Sequence, residues 1–320
     1  MRSAATAIVV CACLAGCRSP RATRVDHRTV PRGEGPASHP AAVDRDVASI
    51  AARDAEIRDR TLREFADAIF YKPRVAEGDE AQAYLAPLIV QEVAPDGDGG
   101  DGAPMFGELR DDDGAGIRVD ISRAVIYGLK STISLGQAVH EQTSYVWFYP
   151  PDARSSGDSP IRVRGVRITF DRDGLPAIWE LLRVGGNTFD GGMDDAAVIF
   201  VSASLERAAA ASYGPPLPGR RYSVESSLER NPDAVVARVL DDGPAAMGPI
   251  VYLDASDLIV TTVICRCMPA QFQNAVRAIY YDVIWSDCSG AISPSADSIR
   301  RALTSRPSAL ADVLRLPPEF

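Results

Sequence analysis

The chain reads as an α+β protein, a mainly antiparallel sheet flanked by helices behind a disordered N-terminal tether. Three observations predict that class. From Asp44 to Tyr71 the apolar residues Val47, Ile50, Ile57, Leu62, Phe65 and Ile69 recur at three-, four- and seven-residue spacing, with one gap at Asp54. That is the period of a helix with one buried face. From 117 to 184 the apolar period changes to two, as in strands. Met268 to Trp285 then places Phe272, Val276, Ile279 and Val283 on one helical face, with Pro269 suited to a first turn.

The N-terminus sets the organisation. Met-Arg is followed by an apolar run from Ala4 to Leu14. One positive charge before a short apolar core fits an export signal. The run is shorter than the roughly 20 apolar residues a membrane-spanning helix needs. It ends Leu14-Ala15-Gly16-Cys17, which resembles the lipobox of bacterial lipoproteins at all four positions. The resemblance implies that the Cys17 thiol is acylated, that the chain is cut before it, and that the new amino terminus is acylated too. Residues 1–16 are then a signal peptide, and the product is a membrane-anchored lipoprotein of the cell envelope, facing the periplasm or the surface. More than one acyl chain is needed for stable anchoring, at about 0.8 kcal/mol per buried methylene.

Residues 17–42 form the expected tether. Arg18, Arg21, Arg24, Arg28 and Arg32 alternate with Pro20, Pro31, Pro36 and Pro40, without apolar periodicity. A flexible chain of this length spans roughly 25–30 Å. Beside the anchor, its arginines would meet anionic head groups, worth about 1 kcal/mol each. His27 and His39 belong to this tether.

Residues 43–320 are expected to fold as one domain. The chain has 320 residues, 46% hydrophobic and 24% charged, which is ordinary for a folded protein. Net charge is −9, and loss of Arg2 with the leader takes it to −10. A negative body excludes nucleic acid as the expected partner, since binding it requires Lys and Arg against phosphate. Lys72 and Lys130 are the only lysines. No protein partner is indicated.

Within that domain Pro73 stops the first helix. In Tyr84 to Val90, Pro87 splits an apolar run whose second half reads as a strand. Asp96 to Gly102 and Asp111 to Gly114 form an acidic, glycine-rich stretch like a fragment of a calcium loop. The EF-hand spacing fails there, because Gly100 stands in a ligand position and Asp101 where glycine belongs. A solvated loop is expected. Ile117, Val119 and Ile121 alternate, and Thr132 to Leu135 and Val139 to Tyr149 flank Gly136-Gln137 as a hairpin. Ile161 to Phe170, the turn Asp171-Arg172-Asp173-Gly174 and Leu175 to Val184 form a second one. Its arginines are expected on one face, in water, and its apolar residues on the other. Tyr145, Trp147 and Tyr149 share a strand face. An exposed row of this kind would stack on sugars, but core packing is the default.

Gly185 to Asp195 reads as an acidic glycine loop, and it lacks a dinucleotide-binding arrangement. Ala197 to Ser202 reads as a buried strand and Leu205 to Ala211 as a short helix. Further strands are expected at Tyr222–Ser226, Val235–Leu240, Ile250–Leu253 and Leu258–Ile264. Ser295 to Ser305 and Pro307 to Leu316 read as terminal helices.

The chemistry-bearing residues are few. Cys11 and Cys13 leave with the signal, and Cys265, Cys267 and Cys288 remain. Cys265-Arg266-Cys267 stands between a strand and an expected helix N-terminus, where the dipole and Arg266 ease thiolate formation. The placement resembles the cysteine pair of thioredoxin-like proteins, but the spacing is Cys-x-Cys and the βαβ context is missing. A structural disulfide from one of the pair to Cys288, or buried thiols, is the leading reading. Thiol redox and soft-metal binding are the alternatives, although three sulfurs without a fourth ligand make an incomplete zinc set. His140 is the only histidine in the body, so a Ser-His-acid hydrolase would have to use it. No Gly-x-Ser-x-Gly elbow accompanies it, and Ser144 stands where a zinc protease's second histidine belongs. The reading is of an envelope protein with a structural or binding role, not an enzyme, without a bound cofactor. A thiol-redox or metal-handling protein is the alternative, and an envelope hydrolase of undefined type the third.

Overall fold

A computed structural model describes residues 68–74, 84–93, 104–111, 117–135, 137–151, 161–184, 197–217, 220, 222–226, 234–242, 247–255, 258, 260–264, 278–285, 310 and 314–320. Contacts divide the chain into Met1–His39 and Pro40–Phe320, and every described residue belongs to the second unit. The expected signal and tether, residues 44–67 of the first expected helix, both glycine-rich acidic loops except Asp111, and the helix at Ser295–Ser305 lie outside the described residues.

The described residues are mostly strand. In order they are β1 (Ala68–Pro73), β2 (Leu88–Glu92), β3 (Glu108–Asp111), β4 (Ile117–Asp120), β5 (Val125–Leu135), β6 (Ala138–Tyr149), β7 (Arg162–Phe170), β8 (Pro176–Val184) and β9 (Ala197–Ser202). Helix α1 (Ala203–Tyr213), β10 (Ala234–Leu240), β11 (Ile250–Leu253), β12 (Val260–Ile264) and β13 (Ala278–Trp285) follow. Eleven strands form one sheet in the order β10-β9-β8-β7-β6-β5-β13-β1-β2-β11-β12, while β3 and β4 pair as a separate ribbon. Neighbours are antiparallel from β5 to β9 and in β1–β2 and β11–β12, but β9–β10, β5–β13, β13–β1 and β2–β11 run parallel.

The expected α+β class is therefore corrected. The sheet is mixed and curls nearly closed, and among the described residues α1 is the one helix of more than a single turn. Two of the expected helices account for the error. Residues 68–71, the end of the first, are strand β1, and 278–285, the end of the second, are strand β13. In β13, Ile279, Tyr281, Val283 and Trp285 alternate and all pack into one core. Ile279 and Val283 satisfy the helical period as well, so a short apolar run fits both templates. Its aromatic and β-branched composition favours the strand. Tyr222–Ser226 is a turn with a single bridge from Glu225 to Leu314, and that bridge replaces the end of the expected last helix. The other expected strands form.

The meander β5–β8 is built locally. In the β7–β8 turn the Asp171 carboxylate accepts from the backbone N–H groups of Asp173 (2.9 Å) and Leu175 (2.8 Å), and Gly174 takes a φ of 74° that disfavours other residues.

One apolar cluster holds the inward residues of all eleven strands, from Ala237 of β10 through Tyr145 and Trp147 of β6 to Val263 of β12. A flat sheet cannot bring its two edges into one core, so closure is a packing requirement. The cluster is rich in large rings. Phe106 sits among Tyr71 (4.3 Å between centroids), Tyr149 (5.9 Å), Tyr281 (6.2 Å) and Trp147 (6.3 Å). Gly128 leaves room for the Trp285 ring, because a Cβ there would stand 2.6 Å from it.

The outward face is covered too. Leu205 and Ala209 of α1, with Tyr222, Val224, Leu310, Leu314 and Phe320, pack on Ile178, Ile199, Val201 and Val236. Helix α1 is well bounded. Ser202 caps it by accepting from the Leu205 N–H at 3.2 Å, and the Gly214 N–H closes it on the Ala210 carbonyl. Asp242 accepts from the Ser204 N–H (3.0 Å) and Arg207 (2.8 Å). Burial pushes its carboxyl up, but these bonds outweigh that and leave it below the usual range.

Candidate functional site

Cys17, Cys265, Cys267 and Cys288 all lie outside the described residues. His140 is described, on the outward face of β6, and it is spent on packing. Its side chain is 2% exposed, its Nδ1 stands 3.0 Å from the Phe170 carbonyl, and its ring stacks on Phe320 at 4.5 Å and 18°. The Phe170 carbonyl accepts, so Nδ1 carries the proton.

The aromatic row of β6 is fully buried on the inward face, which settles Tyr145, Trp147 and Tyr149 as core. Their cross-strand partners correct a further expectation. Tyr149 pairs with Arg162, Trp147 with Arg164 and Tyr145 with Val166. Directly opposed residues share a face. Arg162 and Arg164 therefore face inward with Val166, Ile168 and Phe170, and Arg167 faces outward. Nor is that outward face in water. Arg167 is 5% exposed and lies 3.7 Å from the buried Glu180 carboxylate, with its Nε donating to Ser144 at 3.2 Å. Next to it Gln142 donates to Thr169 at 2.9 Å.

The inward arginines mark one end of the aromatic core, and a polar cluster gathers there. The Tyr149 hydroxyl donates to Gln91 Oε1 at 2.9 Å, and Gln91 Nε2 donates to the Pro104 carbonyl at 2.7 Å. The Arg162 guanidinium stands 6.0 Å from the Tyr149 ring centroid. Arg164 donates through Nε to the Leu258 carbonyl at 2.7 Å and through Nη1 to the Val163 carbonyl at 2.8 Å. Leu258 itself is buried at a φ of 56°, in the left-handed region that leucine avoids.

Burial pushes the Tyr149 hydroxyl well above the usual tyrosine range, and the neighbouring Tyr71 hydroxyl adds to that. The Trp147 indole, Arg164 and Arg162 act against it. Burial alone raises Tyr71 as well. Both phenols stay protonated, as donors, at any physiological pH. Tyr71 Oη and Arg162 Nε are buried without a hydrogen-bond partner among the described residues.

Sequence reasoning missed this cluster. Its signal was the phase of β7, where Arg162 and Arg164 have the parity of Val166 and Ile168, while Arg167 does not. Among the described residues, no group of three His, Cys, Asp or Glu side chains is placed to hold a metal ion. No helix among them is long and apolar enough to cross a membrane. The chain matches no family model, no curated protein and no solved structure.

Proposed function

We propose that this chain is a lipid-anchored, non-enzymatic binding protein of the bacterial cell envelope. The observation that carries the anchor is Leu14-Ala15-Gly16-Cys17 directly after a short apolar run. The basic tether supports the same membrane, by attraction to anionic head groups. For the body, the supporting observation is the use of His140. Its Nδ1 and one ring face are committed to Phe170 and Phe320, which suits a fixed scaffold better than proton transfer.

Palmitate labelling of the wild type and Cys17→Ala in a bacterial host, followed by membrane fractionation, tests the anchor. The wild type takes up label and sediments with membranes, and Cys17→Ala does neither. Equal labelling of the two chains would end the proposal.

A further inference from the structure

We propose that the β3–β4 ribbon is a hinged flap, latched over an apolar patch of the sheet by a row of surface ion pairs, and that it opens while the sheet stays folded. The inference concerns the body and does not depend on the anchor.

The ribbon stands apart from the eleven-stranded sheet. Two strands of four residues each make a hairpin that is marginal on its own. What it rests on is apolar. Leu109 and Val119 pack on the cluster of Val146, Phe148, Val163 and Leu182. The Tyr127 ring meets Phe148 edge-on at 5.5 Å, and its hydroxyl accepts from the Leu109 N–H at 2.9 Å. Both feet of the ribbon stand at one place. A Cβ on Gly107 would collide with the Asp120 carbonyl, and the Gly107 N–H donates to the Phe148 carbonyl at 3.0 Å. Just beyond the feet, Phe106 and Ala124 are buried in the inward core. The ribbon can therefore swing on its feet and leave both of them in place.

The latch is electrostatic. Opposite charges alternate from β4 to the end of β1: Asp120 to Arg110 (3.0 Å), Arg110 to Glu108 (2.9 Å), Glu108 to Arg123 (3.7 Å), Arg123 to Asp282 (2.9 Å) and Asp282 to Arg74 (3.3 Å). Arg123 is the link between ribbon and sheet. Its Nε and Nη2 are held by Asp282 of β13, and its Nη1 reaches Glu108 of β3. These side chains are partly exposed, so each pair is weak and is screened by salt. Such a latch holds at low ionic strength and loosens as salt rises.

Amide hydrogen exchange of the full chain tests this, with residues 108–111 and 117–120 compared with residues 143–149 of β6. The ribbon should exchange well ahead of β6. Raising potassium chloride from about 0.1 M to about 1 M shortens the screening length from about 10 Å to about 3 Å. The ribbon should then exchange about two- to fivefold faster, with β6 unchanged. Arg123→Gln, which alters no residue of either ribbon strand, should give a similar gain at low salt and respond less to added salt. Arg172→Gln, on the exposed β7–β8 turn, should behave as the wild type. Ribbon exchange unchanged by salt overturns the proposal, as does a salt response that Arg123→Gln keeps in full. Ribbon exchange at the rate of β6 overturns it too, because the ribbon then opens only with the sheet.

Discussion

The two faces of strand β6 are buried by different means. Inward, Tyr145, Trp147 and Tyr149 bury rings against rings. Outward, His140, Gln142 and Ser144 are as thoroughly enclosed: His140 Nδ1 bonds the Phe170 carbonyl, Gln142 donates to Thr169 and Ser144 accepts from Arg167, while His140 Nε2 has no partner among the described residues. The inward face is held by area and shape. The outward face adds hydrogen bonds at His140, Gln142 and Ser144 to the apolar burial of Val146 and Phe148, and those bonds matter because a buried polar group is costly when its partner is missing. A double-sided strand of this kind needs a cover on both sides. The curl of the sheet supplies one, and Phe320 over His140 with Leu109 and Val119 of the β3–β4 ribbon against Val146 and Phe148 supplies the other.

The inward face should be the more sensitive to truncation. Trp147→Ala removes a fully buried ring from the Phe106 cluster and should cost about 3–5 kcal/mol, read from denaturant unfolding. A loss under 1 kcal/mol would mean that the aromatic cluster is not a packed core. Outward, Arg167→Met removes the guanidinium that faces the buried Glu180 carboxylate. The loss should be about 3 kcal/mol, at the lower end for a buried pair because the two ions stand 3.7 Å apart. Arg167→Met with Glu180→Leu should recover most of it, and the inward truncation has no such rescue. If the double variant is no better than the single, the ion pair is not what the outward face depends on.

Alkali sharpens the same contrast. The folded-state pKa values of Tyr71 and Tyr149 are raised above the unfolded value near 10. Their contribution is therefore complete below about pH 10 and is lost as pH rises towards the folded values. Unfolding free energy should fall in that window, with tyrosinate absorbance appearing together with unfolding. Tyr71→Phe should reduce the slope. The smallest effect is at α1: Ser202→Ala removes its cap and should cost about 1 kcal/mol, with little change inward.

The local half of this architecture was readable. Strands β5 to β8 announce themselves by alternation, and the Asp-Arg-Asp-Gly turn carries its own chemistry. The closing half was not. Strand β13 lies between β1 and β5, partners more than 140 residues away in sequence, and Ile279 and Val283 suit either period. No local pattern states which strand a strand will join. The arginine end was hidden for a related reason. Arg162, Arg164 and Arg167 look like one exposed set until the register divides them between two buried faces. Tyr71 and Gln91 reach the cluster only through β1 and β2, whose place beside β13 is again non-local.

The account stands or falls on β13 as an interior strand, because only there does it join the meander to β1, β2, β11 and β12. Amide hydrogen exchange of the native chain measures this directly. Residues 278–285 should be as strongly protected as residues 143–149 of β6, since both strands have neighbours on each side. Exchange of 278–285 at the rate of a fraying edge, with β6 still protected, would contradict the single closed core.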